Sequence, residues 1–357
     1  MKKVNGQKTI FGMKKNKINF FLILAILLIS IIMTMPNLNQ KETLEGPMGE
    51  EKIETQTIEI DSTTKSISGF SRPFGITVDE VENMYITDFG GHNLLIYDRN
   101  FNLIQNINPN DESILKNPHS VDFDSKENMY ITDFGNKKIQ KFSKEGEFMK
   151  TIIDEDYLKG PATSYFDENE NLYVSDYGSN ALLKFSKNGA FMGWIGAKQD
   201  GTLTNGWEIR LSETSASTIP GGFDRLHMSR VDQNENIYVA DTWNNRIQKF
   251  SKNGKLIGWI GAKQDGTLTN GWEKEGIAAS SSIPGGLNTP VSLDISEDGD
   301  LIIFEFNGNR IQKFSKEGKF IEILATGFNQ GYDAKLKNNK LYVVDTGHNK
   351  IQIINLS

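Results

Sequence analysis

Residues 127–143 read ENMYITDFGNKKIQKFS, and five further segments follow the same pattern. They are ENMYITDFGGHNLLIYD at 82–98, ENLYVSDYGSNALLKFS at 170–186, ENIYVADTWNNRIQKFS at 235–251, GDLIIFEFNGNRIQKFS at 299–315 and NKLYVVDTGHNKIQIIN at 339–355. The shared acidic position is Asp88, Asp133, Asp176, Asp241, Glu305 and Asp345, at successive spacings of 45, 43, 65, 64 and 40 residues. Short alternating runs such as NMYIT and KIQKF, broken by Asp, Gly and Asn, predict β-strands joined by tight turns. The second unit offers four of them: HSVDFD, NMYIT, KIQKFS and EFMKTII. Four-stranded units repeated at this period build propeller blades, so the expected fold is all-β, a six-bladed β-propeller over residues 53–357.

The last unit stops at Ser357 after its third strand. Residues 55–61, TQTIEID, precede the first unit and are expected to supply the missing outer strand, closing the ring so that no edge stays open.

The six copies, over roughly residues 70–357, resemble the NHL repeat. That resemblance implies the six-bladed fold and says little about function, because the family includes scaffolds, sensor domains, RNA binders and a lyase.

Ahead of the repeats, residues 1–17 carry six lysines and no acid, so the rest of the chain is more acidic than the formal charge of −7 for the whole. Bulk electrostatics therefore oppose nucleic-acid binding, which draws its affinity from lysine and arginine. Residues 20–35, FFLILAILLISIIMTM, form an uncharged apolar run. The following MTMPNLNQ has no small residues at signal-peptidase spacing, so 18–35 is expected to be an uncleaved transmembrane helix, with a cleaved signal and a secreted product as the alternative. The basic leader 1–17 should stay cytoplasmic, leaving a polar linker at 36–52 and the propeller outside. Cysteine is absent, which removes disulfides, thiolate metal sites, thiol catalysis and a lipidated-cysteine anchor.

Strand parity puts the turns after the shared acid, and all blade-to-blade connections, on one face. Two connections are longer than the rest and begin with the same fifteen residues, GWIGAKQDGTLTNGW, at 193–207 and 258–272. They hold Asp200 and Asp265, and four of the five tryptophans: Trp194, Trp207, Trp259 and Trp272, with Trp243 in a post-acid turn. These residues read either as a ligand platform, on which indoles stack against a glycan or peptide, or as anchors pinning long loops. The shared acid itself reads as architectural, because an Asp ending a strand accepts backbone N–H groups of the turn.

His119 and His227 each precede the acid of their blade by 14 residues, and so start channel-lining strands of the second and fourth blades. The same position holds Phe74, Ala162 and Val291, and Gly331 or Tyr332 in the sixth. Alternate blades of a six-fold ring converge on the axis, so His119, His227 and Tyr332 are candidate ligands for zinc or another divalent metal. His92 and His348 lie in post-acid turns and read as ordinary surface residues. The segment NPHSVDF at 117–123 resembles the zinc-binding motif of peptidyl-α-hydroxyglycine α-amidating lyase. That resemblance implies an axial metal on His119 and His227 and a catalytic tyrosine approximated by Tyr177. It departs at Thr242, where the family has a substrate-binding arginine, and in the sixth blade, which lacks the third histidine.

Taken together, these features predict a membrane-anchored, extracytoplasmic binding or protein-interaction module for a peptide, glycan or protein. A metal-dependent lyase is the alternative.

Overall fold

The computed structural model describes residues 58–59, 64–107 and 112–356. The leader, transmembrane and linker expectations at 1–17, 18–35 and 36–52 lie outside the described residues, and no described helix is long and apolar enough to cross a membrane.

Six sheets form among the described residues, each built on four antiparallel strands. Blade 1 runs outward from Pro73–Val78 through Met84–Asp88 and Asn93–Tyr97 to Leu103–Ile107. Blade 2 comprises Pro118–Phe123, Met129–Asp133, Lys138–Phe142 and Phe148–Ile153; blade 3 comprises Pro161–Phe166, Asn171–Asp176, Ala181–Ser186 and Phe191–Lys198. Blade 4 comprises Met228–Val231, Ile237–Asp241, Arg246–Phe250 and Leu256–Lys263; blade 5 comprises Pro290–Ile295, Leu301–Glu305, Arg310–Phe314 and Phe320–Thr326. The innermost strands of consecutive blades lie against one another around the ring, with blade 6 against blade 1. The fold is a six-bladed β-propeller.

Blade 6 takes Asp333–Lys337, Lys340–Asp345 and Lys350–Asn355 from the carboxyl end, and its outer strand from Lys65–Ser68. The closing strand is therefore KSIS rather than TQTIEID. Lys65–Ser68 pairs antiparallel with Lys350–Asn355, setting Ile67 opposite Ile351, and this register drops Ile67 into the apolar cluster of Ile351, Ile353 and Tyr342. Ile58–Glu59, from the expected segment, instead runs parallel to Ala325 and Thr326 as a fifth strand on blade 5. Blades 3 and 4 gain fifth strands at Thr214–Ser215 and Ala278–Ala279, within their long connections.

The core lies between blades. The strand-3 phenylalanines Phe142, Phe185, Phe250 and Phe314 are buried, as is each strand-2 tyrosine, Tyr85, Tyr130, Tyr173, Tyr238 and Tyr342, while Tyr97 of blade 1 is partly buried. Successive residues of a middle strand thus pack into the gaps on either side of the blade, Ile86 against blade 6 and Tyr85 against blade 2.

Candidate functional site

The shared acid works as the sequence suggests, with one addition. Asp176 accepts N–H groups of Gly178 (3.0 Å) in its own turn, and also those of Lys159 (2.7 Å) and Gly160 (2.8 Å), where the chain enters the blade. Asp88 likewise accepts Ser71 and Arg72. The asparagine four residues later reaches onward to the next blade. Asn180 Oδ1 accepts Arg225 N, Asn245 Oδ1 accepts Thr289 N, and Asn309 Oδ1 accepts Gln330 N, at 2.7, 2.8 and 2.8 Å. In blade 1 this place belongs to His92, whose Nδ1 accepts Asn117 N at 3.1 Å, so it is an inter-blade latch rather than an ordinary surface residue. His348 turns back onto Asp345 Oδ2 at 2.8 Å.

These latches set the start of the innermost strands of blades 2, 4, 5 and 6, and the first residues of the innermost strands meet at the axis. Tyr332, not Gly331, takes the sixth position. Its N–H donates to Val344 O as His227 N–H donates to Ala240 O, while a Cβ on Gly331 would fall 2.3 Å from the Phe304 ring. The Tyr332 ring stacks on Phe74 at 4.0 Å and lies 5.5 Å from His227, whose ring is 5.7 Å from His119. His119 stacks on Phe134 at 4.6 Å, and Phe89 and Phe306 pack on Phe74 and Tyr332. Aromatic rings thus close the acid-face end of the channel.

Both imidazoles are buried. His227 Nδ1 lies 3.0 Å from Val291 O; a carbonyl only accepts, so Nδ1 carries the hydrogen and Nε2 keeps a lone pair with no partner. His119 Nδ1 is likewise buried without a partner. Burial pushes the His227 pKa down to about 4, and holds that of His119 well below its ordinary value, with His227 and Arg72 adding to the effect. Burial raises the Tyr332 hydroxyl pKa, opposed by Arg72. The pair is therefore neutral at pH 7 and faces a protonated phenol. No cluster of three or more His, Cys, Asp or Glu side chains suited to a metal occurs among the described residues.

The five tryptophans divide. Trp194 and Trp259 are buried, with indole N–H groups donating to Arg210 O (2.9 Å) and Glu275 O (3.1 Å). The two long connections leave the acid face and fold back along the outer edges, bridging Trp194 to Glu208 and Trp259 to Glu273. Trp207 and Trp272 thereby reach the opposite face and donate to Lys252 O and Lys316 O, in turns of the next blade. They pack on Tyr173 and Tyr238. These four indoles hold the loops to the blades, as the anchor reading of the sequence has it. Asp200 and Asp265 are each capped by the N–H and hydroxyl of Thr202 and Thr267 in their own turns.

Trp243 differs. It is 54% exposed on the acid face, and the Arg225 guanidinium lies 4.6 Å from its ring and 4.9 Å from that of Tyr177. Arg72 lies 5.0 Å from the Phe74 ring and 5.5 Å from that of Phe89. Neither arginine stands out by motif, yet both sit 16 residues before the shared acid of their blades.

A family model for the NHL repeat matches residues 230–250. No curated protein matches the sequence. Among solved structures, a streptogramin B lyase is 16% identical with a TM-score of 0.54, over 82% of this chain and 97% of that one. Virginiamycin B lyase from Staphylococcus aureus is 13% identical with a TM-score of 0.55, over 82% and 99%. A gluconolactonase from Xanthomonas campestris is 12% identical with a TM-score of 0.54, over 83% and 91%. At these identities the likeness is one of fold. The chain is a six-bladed β-propeller that carries an NHL repeat at residues 230–250.

Proposed function

We infer that this protein is a non-catalytic binding or interaction propeller, held on the outer side of a membrane by residues 18–35, with its ligand on the acid face over the axis. The observation that carries this reading is the aromatic mouth, where exposed Trp243 and half-buried Tyr177, Phe89, Phe134 and Phe306 surround the axis. Such rings offer large, rigid contact area to a peptide, glycan or protein loop. The test is binding of peptide and glycan arrays to the full chain and to Trp243→Ala. Binding lost in the variant, at unchanged thermal stability, supports the reading; binding indifferent to Trp243 overturns the choice of face. Protease added outside sealed cells should degrade the propeller, and its survival would rule out the outward topology.

A metal-dependent lyase is the second reading, and the two unpartnered imidazole nitrogens favour it. His119 and His227 would hold a zinc-class ion beside Tyr332, and the ion would supply Lewis-acid polarisation of a substrate oxygen. The neutral imidazoles fit that role, whereas the phenol would have to lose its proton to join them. Elemental analysis of the full chain decides: about one equivalent of metal, lost in both His119→Ala and His227→Ala, favours the lyase, and none favours the binding module.

A further inference from the structure

Arg72 and Arg225 occupy one register, 16 residues before Asp88 and Asp241, in blades 1 and 4. Three blades apart in a six-bladed ring, they stand on opposite sides of the axis. Asn117, Gly160 and Thr289 stand there in blades 2, 3 and 5, and blade 6, one residue shorter before its acid, places Gln330 at the equivalent point, so this register is charged only at the two opposed positions. Both arginines belong to the same mouth. Arg72 lies 5.0 Å from the Phe74 ring, on which Tyr332 stacks at the axis, and Arg225 lies 4.9 Å from the Tyr177 ring.

Arg230, Arg246 and Arg310 each lie within 4.0 Å of a carboxylate, while Arg72 and Arg225, like Arg99 and Arg210, form no ion pair among the described residues, Arg225 not even with neighbouring Asp224. A guanidinium held over a ring is oriented with little side-chain entropy left to lose, and its edge N–H groups suit the forked acceptors of a carboxylate or phosphate. Asp88 and Asp241, the shared acids of these two blades, accept backbone N–H groups and form no ion pair with Arg72 or Arg225.

We propose that Arg72 and Arg225 form the two arms of a clamp for a small anionic ligand, whose carboxylate or phosphate meets the guanidinium edges while its flat ring lies on the aromatic mouth. This assignment rests on the reading of the acid face as the binding face, and narrows its ligand to anions.

The experiment is isothermal titration of the full chain, in detergent or lipid discs, with benzoate, phenyl phosphate and neutral benzyl alcohol. Arg72→Gln, Arg225→Gln and the double variant are titrated in parallel. At least one of the two anions should bind; each single variant should weaken it about tenfold and the double variant more, at unchanged thermal midpoint. Benzyl alcohol should bind at least about tenfold more weakly, and the preferred anion distinguishes carboxylate from phosphate as the recognised group. Should the glutamine variants misfold, Arg72→Lys and Arg225→Lys keep the charge without the fork and should show a smaller loss. The clamp is overturned by benzyl alcohol matching the anions, by variants that bind like the parent, or by neither anion binding up to about 10 mM. If the anions fail while a peptide or glycan binds through Trp243, the clamp alone is wrong; if both fail, the binding face is wrong as well.

Discussion

Arg246 Nε lies 2.7 Å from Asp241 Oδ2, with both side chains fully buried, and its remaining N–H groups donate to the carbonyl oxygens of Thr218, Ile219 and Gly222. Gln248 completes the arrangement, donating to Gly222 O and accepting Gly221 N–H. The same set recurs one blade on, where Arg310 and Gln312 hold Glu305 and residues 281–286. Each long connection is thus tied down by the blade that follows it.

Removing one partner of such a pair strands a buried charge, which costs about 3–5 kcal/mol. Arg246→Ala should therefore lower unfolding stability by that order and expose residues 212–222 to proteolysis. Chemical denaturation with limited proteolysis measures both effects, and a loss below about 1 kcal/mol would show that the tie is dispensable.

Closure by Lys65–Ser68 predicts a sharp boundary for truncation. A chain starting at residue 64 keeps the outer strand of blade 6 and should remain monomeric and folded. One starting at 69 bares the edge of Lys350–Asn355 and removes buried Ile67, so it should unfold at lower temperature and aggregate. Size-exclusion chromatography and thermal melts of the two chains check this.

The tryptophans should separate by phenotype. Trp207→Ala removes a ring wedged on Tyr173 and a hydrogen bond to Lys252 O, and should cost roughly 2–4 kcal/mol. Trp243→Ala, on an exposed ring, should stay within about 0.5 kcal/mol and act on binding alone. Equal destabilisation by both would contradict the division of roles.

Stability should also depend on the buried imidazoles. The His227 pKa falls from 6.5 to about 4 on folding, so the folded state favours the neutral ring. Its contribution is fully present above pH 6.5 and is lost as pH falls toward about 4, a change on the order of 3 kcal/mol. His227→Phe should flatten that part of the pH–stability profile, as read from denaturation midpoints between those limits. An unchanged slope would mean the ring is not buried in solution.

Much of this was legible before any coordinates. Six copies of a period-2 pattern, each ending in an acid and a turn, leave few ways to bury their apolar faces other than as blades. The axial positions of His119 and His227 followed from counting back from the acid. The Arg246 and Arg310 ties were also within reach: five residues after the acid, arginine occurs only in the two blades that follow long connections, against Asn93, Lys138, Ala181 and Lys350 elsewhere. The course of those connections was not, because fifteen identical residues with two indoles fit an exposed platform or a folded-back ribbon equally well.

What the sequence alone determined is therefore local and repeated: the strands, the turns and the six-fold count, since alternation and turn chemistry act within a few residues. The tertiary structure decided the partnerships between distant residues. It chose Ile67 over residues 55–61 as the closing strand, joined Ile76 N–H to Asp333 Oδ2 across 257 residues, and brought Arg72 and Arg225 to one mouth from opposite blades. Those choices rest on ring closure, which fixes every innermost strand against two neighbours at once and so selects which distant side chains meet.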